Sequence, residues 1–253
     1  MQFNEAQIQA IQHNTGPCMV IAGPGSGKTT VLTHRVRYLI ERYGVNPSDI
    51  LVITFTKAAA EQMKLKFKGL SEGRNSAVTF GTFHAVFFTI LKAAYNYSAH
   101  CIIKPQIQHE FVKDQMCRLE LEYDDENEAV AGVLSEISCV KGEDVNIDEY
   151  ESRCIPPQSF RIMYRAYDDM LVRKHLIDFD DMIVQCRELL MQREDYRRAW
   201  QNKYKYILID EFQDINKAQF DVVRILADEY RNLFVVGDDD QSIYGLSLIH
   251  ISE

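Results

Sequence analysis

Five short apolar runs constrain this chain more than any other feature: Cys18–Ala22, Ile50–Phe55, Ala77–Phe80, Tyr206–Ile209 and Leu233–Val236. Each has the length of a strand rather than a helix. Helical patterns separate most of them, which predicts the buried parallel strands of an α/β sheet. Asn4 and Gln7 have the spacing of a capping box for a first helix running through Ile11. The helix after the first strand places Leu32, Val36, Leu39, Ile40 and Tyr43 on one face, and Gly44 is suited to end it. The alternation breaks between about Ala94 and Ile177, where the chain is largely helical and Pro156-Pro157 divides it. Phe160, Met163, Tyr164, Tyr167, Met170 and Leu171 mark one amphipathic helix there. The expected organisation is a helical subdomain, residues 94–177, inserted into a sheet domain made of residues 1–93 and 178–253.

In an open α/β sheet, ligands bind beyond the carboxyl ends of the strands. All five runs lead into polar, unusual sequence: Gly23–Thr29, Thr54–Lys57, Gly81–His84, Asp210–Asp214 and Gly237–Tyr244. One end of the sheet is therefore expected to carry the function. After the first strand, the residues Ala22, Gly23, Pro24, Gly25, Ser26, Gly27, Lys28, Thr29 and Thr30 form a glycine loop that opens a helix. Ala22 stands where the usual phosphate-loop pattern has its first glycine, and the remaining glycines still permit the tight turn. Backbone N–H groups and the helix N-terminus would face phosphates. Lys28 would reach the β- and γ-phosphates of ATP, and Thr29 would offer its hydroxyl to Mg²⁺. The expected fold is thus that of a P-loop NTPase, a RecA-like parallel sheet with helices on both faces and an inserted, mainly helical subdomain.

Asp210 and Glu211 follow the apolar Ile207-Leu208-Ile209, so a buried strand delivers both carboxylates to the phosphate end. Asp210 suits the magnesium shell, because a hard cation takes oxygen ligands. Glu211 would orient and deprotonate water for attack on the γ-phosphate. A base aimed at water favours hydrolysis over kinase-type transfer, which must exclude water.

Seven segments occur in order from Phe3 to Gly245: FNEAQ, AGPGSGKTT, TFTKAAAEQM, GTFH, DFDDM, DEFQD and GDDDQSIYG. Together they resemble the UvrD/Rep/PcrA helicases of superfamily 1. The resemblance implies a first motor domain (1A) interrupted by a helical subdomain (1B). It also implies ATP and Mg²⁺ as cofactors, and single-stranded DNA and single-strand/duplex junctions as partners. By position, Gln7 would read adenine and Gln241 would sense the γ-phosphate and link it to DNA. Thr54, Phe55 and Thr56, with Thr82, Phe83 and His84, would line the single-stranded DNA track, and Tyr244 joins them. Hydroxyls bind phosphates and aromatic rings stack on bases, although Phe55 and Phe83 serve equally well as core, and Gln7 as a cap. Asp178-Phe179-Asp180-Asp181 would mark the return from the insertion, its acids capping a helix.

Two departures accompany the resemblance. Lys57 stands where the family more often has asparagine. After Gly245 the family continues with an aromatic residue and Arg-Gly-Ala, whereas this chain has Leu246-Ser-Leu-Ile-His-Ile-Ser-Glu253, a run more like an assembly junction than a native tail. The second motor domain, which supplies arginines across the nucleotide cleft in the family, is expected to be missing from the 253 residues. The chain by itself would then bind nucleotide and DNA with little turnover.

The net charge of −9 argues against a nucleic-acid partner only until its distribution is considered. Between Glu120 and Glu151 twelve acids face a single lysine, a local −11, so the rest of the chain stands at about +2. No apolar run approaches the roughly 18 residues of a membrane span, and no secretory signal opens the chain. The six cysteines show no metal-like spacing and are expected to be reduced, buried thiols of a cytoplasmic protein.

Overall fold

The computed structural model describes residues 3–23, 25–71 and 77–238. Its sheet has five strands: β1 (Cys18–Ile21), β2 (Ile50–Thr54), β3 (Thr79–Thr82), β4 (Tyr206–Ile209) and β5 (Leu233–Gly237). All pairs are parallel and the order is β1-β5-β4-β2-β3. Every residue of β2 and β5 is buried, whereas the edge strands β1 and β3 are half-exposed. The continuous apolar runs therefore belong to strands covered on both faces.

The third strand lies two residues later than its apolar run suggests. Leu51 pairs with Thr79 and Thr54 with Thr82, so the ladder continues through Gly81 into Thr82. Backbone pairing with β2, which side-chain apolarity does not report, sets its end. Gly81–His84 is consequently no loop: α4 (Phe83–Ala94) begins directly after the strand.

Helix α1 (Glu5–Gln12) starts on the expected capping box, with Asn4 and Gln7 each accepting the other's backbone N–H. Helix α2 (Lys28–Tyr43) opens on Gly27 and closes on Gly44, both at positive φ. Its buried face is Val31, Leu32, Thr33, Arg35, Val36 and Leu39. Tyr43 is not part of that face: it is 41% exposed, and its hydroxyl donates to the Gln12 carbonyl at 2.8 Å. Helix α3 (Lys57–Leu70) buries Ala60, Met63 and Phe67 and leaves Lys64, Lys66 and Lys68 in solvent. Helices α9 (Glu194–Lys203) and α10 (Lys217–Ala227) flank β4 in sequence.

A second compact unit comprises Phe87–Glu188 with Lys217–Gln219. It contains α5 (Pro105–Arg118), α6 (Glu126–Gly142), α7 (Pro157–Lys174) and most of α8 (Phe179–Gln192). Its core joins Val112 and Met116 of α5, Val133 and Ile137 of α6, and Phe160, Met163 and Tyr167 of α7. The acids at the start of α8 cap it reciprocally: Asp181 N–H donates to Asp178 Oδ1 at 2.7 Å, and Asp178 N–H to Asp181 Oδ2 at 3.1 Å. Lys141, the one lysine of the acidic tract, is buried at the same point. Its Nζ lies 2.9 Å from Asp178, 2.7 Å from Asp181 and 3.1 Å from Asp168.

The cysteines are free, but Cys117, Cys139 and Cys154 are exposed and only Cys186 is buried. The expectation of buried thiols is corrected on that point, since Met116 and Val140, the neighbours of Cys117 and Cys139, take the core positions. Among the described residues, no helix is long and apolar enough to cross a membrane.

Candidate active site

Because the five strands are parallel, their carboxyl ends share one edge of the sheet. β5 lies between β1 and β4, with Ile21 opposite Gly237 and Ile209 opposite Val235. The residues leaving these three strands are thereby brought together. The Ala22 N–H donates to the Gly237 carbonyl at 3.0 Å, tying the start of the glycine loop to the end of β5.

The loop turns on Gly25 (φ 74°) and Gly27 (φ 85°), conformations that residues with a Cβ rarely adopt. Gln7 braces it: Oε1 accepts the Asn4 N–H at 3.0 Å and Nε2 donates to the Ser26 carbonyl at 2.9 Å. Gln7 therefore lies at the loop with both ends of its amide engaged. The Ser26 hydroxyl is buried without a hydrogen-bond partner among the described residues. A buried orphan oxygen in a glycine cradle at a helix N-terminus fits a phosphate group. Pro24 lies outside the described residues.

Asp210 continues the β4 ladder by donating its N–H to the Ile53 carbonyl at 3.0 Å. Its carboxyl is buried, and that burial, reinforced by the Glu211 charge, pushes its pKa up to about 6. Opposing this, the Thr29 side chain hydrogen-bonds it. A desolvated acid beside a hydroxyl, near a second carboxylate, is a donor set that gains from a bound cation. Glu211 sits at φ 51°, the left-handed region that non-glycine residues avoid. Lys28 is nearly buried, with Nζ 3.4 Å from Asp238 Oδ2 and 3.7 Å from Glu211 Oε2.

The structure thus unites Lys28, Thr29, Asp210 and Glu211 as the sequence predicts. It adds two residues to which the sequence reading gave no role. Asp238 is 1% exposed and faces Lys28. Gln213 is 3% exposed and lies between Glu211 and Asp238. Asp238 was detectable as the first polar residue after β5, at the same sheet edge as the loop. Gln213 lies within DEFQD but carries no charge to draw notice.

The residues expected along DNA separate into two groups. Phe55 is 49% exposed, and Thr56 is an exposed N-cap accepting the Ala59 N–H at 3.1 Å. Thr82 and His84 are half-buried, and burial lowers the His84 pKa, favouring the neutral ring. Phe83, by contrast, is 1% exposed. It belongs to the core, which corrects its assignment to the track: the first residue of α4 faces inward when the strand runs straight into the helix. Thr54 is also buried, and its hydroxyl donates to the Thr56 carbonyl at 2.9 Å. Gln241 and Tyr244 lie outside the described residues.

The family model for the UvrD/REP helicase N-terminal domain matches residues 3–251. The chain belongs to the UvrD/REP helicase family. Its α/β architecture with five parallel strands is the P-loop NTPase fold of that domain. Among curated relatives, the ATP-dependent DNA helicase PcrA of Staphylococcus epidermidis is 34% identical over 255 residues, covering 96% of this chain and 34% of the relative. The ATP-dependent DNA helicase PcrA of Staphylococcus aureus is 34% identical over 252 residues, with the same coverage. The chain therefore spans about a third of the length of the curated relatives it matches.

Proposed function

We propose that this chain is the ATP-binding part, motor domain 1A with a 1B insertion at residues 94–177, of a cytoplasmic 3′-to-5′ DNA helicase. Magnesium-ATP hydrolysis would drive its translocation on single-stranded DNA and its unwinding of duplex at junctions. A second motor domain outside the 253 residues would complete the nucleotide cleft. The observation that carries this reading is the convergence of Lys28, Thr29, Asp210 and Glu211 on one sheet edge, with Lys28 held by contacts of 3.4 and 3.7 Å. Such long contacts leave the ammonium ready to exchange carboxylates for phosphate oxygens.

In this reading the backbone N–H groups of Gly25, Gly27, Lys28 and Thr29 cradle the phosphates and Lys28 neutralises the β- and γ-phosphates. Thr29 and Asp210 would hold Mg²⁺, which would supply charge stabilisation for the transferred phosphoryl group. Among the described residues no cluster of three or more His, Cys, Asp or Glu forms a metal cage of its own. That suits an ion bound through one or two side chains together with substrate phosphates. Glu211 takes the proton of the attacking water, and Gln241 senses the γ-phosphate. Gln7 would read adenine with the second N–H and the second lone pair of its amide, which its two present bonds leave over. Exposed Phe55, with Thr56, Thr82, His84 and Tyr244, contacts single-stranded DNA by stacking and phosphate hydrogen bonds.

A second reading, a nucleotide- and DNA-binding module without turnover, draws on the engagement of Glu211 by both Lys28 and Gln213. One variant separates the two. In the full-length gene product, Glu211→Gln keeps shape and reach but cannot accept the proton. ATP affinity should stay near the wild-type value while DNA-stimulated hydrolysis falls about 10²- to 10⁴-fold. Wild-type turnover in Glu211→Gln removes the base assignment, and a wild type that binds without hydrolysing supports the module.

A further inference from the structure

We propose that Gln213 is a positioning residue for hydrolysis, fixing the Glu211 carboxylate and locking it to the end of β5. The inference rests on the reading of Glu211 as the base. Gln213 Nε2 donates to Glu211 Oε2 at 2.8 Å, and Gln213 Oε1 accepts the Asp238 N–H at 3.0 Å. The orientation of the amide is forced: a backbone N–H can only donate, so Oε1 must face Asp238 and the NH₂ group must face the carboxylate. Gln213 is 3% exposed, so its amide is shielded from water.

Three further features indicate a built arrangement. First, a Cβ on Gly237 would come within 3.0 Å of Gln213 Oε1, so the glycine lets the amide approach the β5 backbone closely. Second, Glu211 lies in the left-handed region at φ 51°, and its side chain is 39% exposed. Nothing in the packing alone holds such a carboxylate in one rotamer. Third, Gln213 and Lys28 approach the same oxygen, Oε2, the lysine at 3.7 Å. The proton-accepting role then falls to Oε1. Through its two bonds, Gln213 sets the position of both acids that face Lys28: Glu211 by its side chain and Asp238 by its backbone.

Preorganised groups of this kind act on turnover more than on ground-state binding. The test is a double-mutant cycle on ATP hydrolysis in the full-length gene product, with ATP affinity measured in parallel. Gln213→Met keeps the volume and removes both bonds. It should lower kcat about 10- to 100-fold, the loss of one hydrogen bond to a charged group, with KM for ATP within about twofold. Gln213→Glu keeps the acceptor for the Asp238 N–H but sets a like charge against Glu211, and should be at least as slow. In a Glu211→Gln background, Gln213→Met should have no further effect on kcat, because the group it positions has already lost its function.

Wild-type turnover in Gln213→Glu overturns the proposal. So does a Gln213→Met defect that multiplies fully with Glu211→Gln, since the glutamine would then merely brace the sheet. If Gln213→Met does not fold, Gln213→Glu alone and combined with Glu211→Gln decides the matter. Normal turnover in Glu211→Gln itself overturns the base assignment, and this role with it. A Gln213 defect confined to hydrolysis and lost in the Glu211→Gln background upholds both.

Discussion

Two lysines in this chain lie among carboxylates, and they are held differently. Lys141, in the helical unit, is gripped at 2.7–3.1 Å by Asp178, Asp181 and Asp168, and two of those acids also cap α8. Burial alone would lower the Lys141 pKa, but the three aspartates overcome it and raise it, so the ammonium is permanently charged. Lys28, at the sheet edge, meets carboxylates at the longer distances of 3.4 and 3.7 Å among the described residues, in the same loop as the orphan Ser26 hydroxyl and near an acid with a raised pKa. Charge count does not distinguish the two places. Contact length does: three carboxylates hold Lys141 at close hydrogen-bonding distance, while the two carboxylates at Lys28 stand farther off.

The largest expected effect tests the Lys141 cluster. Lys141→Met leaves acids buried without their counter-charge, which costs about 3–5 kcal/mol of stability near pH 7. Burial and the Asp178 charge already push the Asp181 pKa up to about 6. The deficit should therefore shrink as pH falls through 6 and Asp181 protonates. Urea unfolding at several pH values measures it, and a cost below about 1 kcal/mol breaks the contrast between the two lysines.

Next in size is Asp210. Its folded pKa of about 6 stands above the ordinary 3.8, so the folded state binds the proton more tightly than the unfolded one. Stability from this group is therefore lost as pH rises from about 4 through 6, in all about 3 kcal/mol. Asp210→Asn should raise the melting temperature at pH 7 and leave it nearly unchanged at pH 4, while magnesium-dependent nucleotide binding weakens. A destabilised Asp210→Asn protein at pH 7 would mean that the acid is structural.

Arg35 is a buried cation held without such a carboxylate cluster. It donates to the Ala10 and His13 carbonyls and lies over the Phe234 ring, 4.2 Å from its centroid. Burial lowers its pKa to about 10. Arg35→Met leaves two carbonyls at the end of α1 without this donor and should cost about 1–3 kcal/mol by thermal unfolding. The cost should not depend on pH between 4 and 8, in contrast to Lys141→Met.

Much of this was legible in the sequence, for physical reasons that also explain the rest. Strands β2, β4 and β5 are covered on both faces, so apolarity marks them; β3 ends on Gly81 and Thr82, which only its pairing with β2 reveals. The glycine loop and Asp210-Glu211 have charge and spacing that chemistry demands. The capping box at Asn4 and Gln7 is a local three-residue relation. What escaped depends on distant partners: Gln213 matters because Asp238 lies beside it, 25 residues along the chain. The face a residue takes is equally hidden. Phe55 and Phe83 are the same residue type in similar settings, yet one is exposed and the other core. Lys141 stands in the sequence as the single lysine of an acidic tract, and its aspartates at 168, 178 and 181 lie beyond that tract.

In the proposed function, the cluster around Lys28 receives the phosphates of magnesium-ATP. Calorimetric titration of ATP into the wild-type chain and into Lys28→Ala, with and without Mg²⁺, tests it most directly. The expected result is magnesium-dependent binding by the wild type, at least about 30-fold weaker or undetectable in the variant. The melting temperatures should match closely, because the lysine's long contacts contribute little to the fold. Equal ATP affinity in Lys28→Ala would mean that Lys28 does not hold the phosphates.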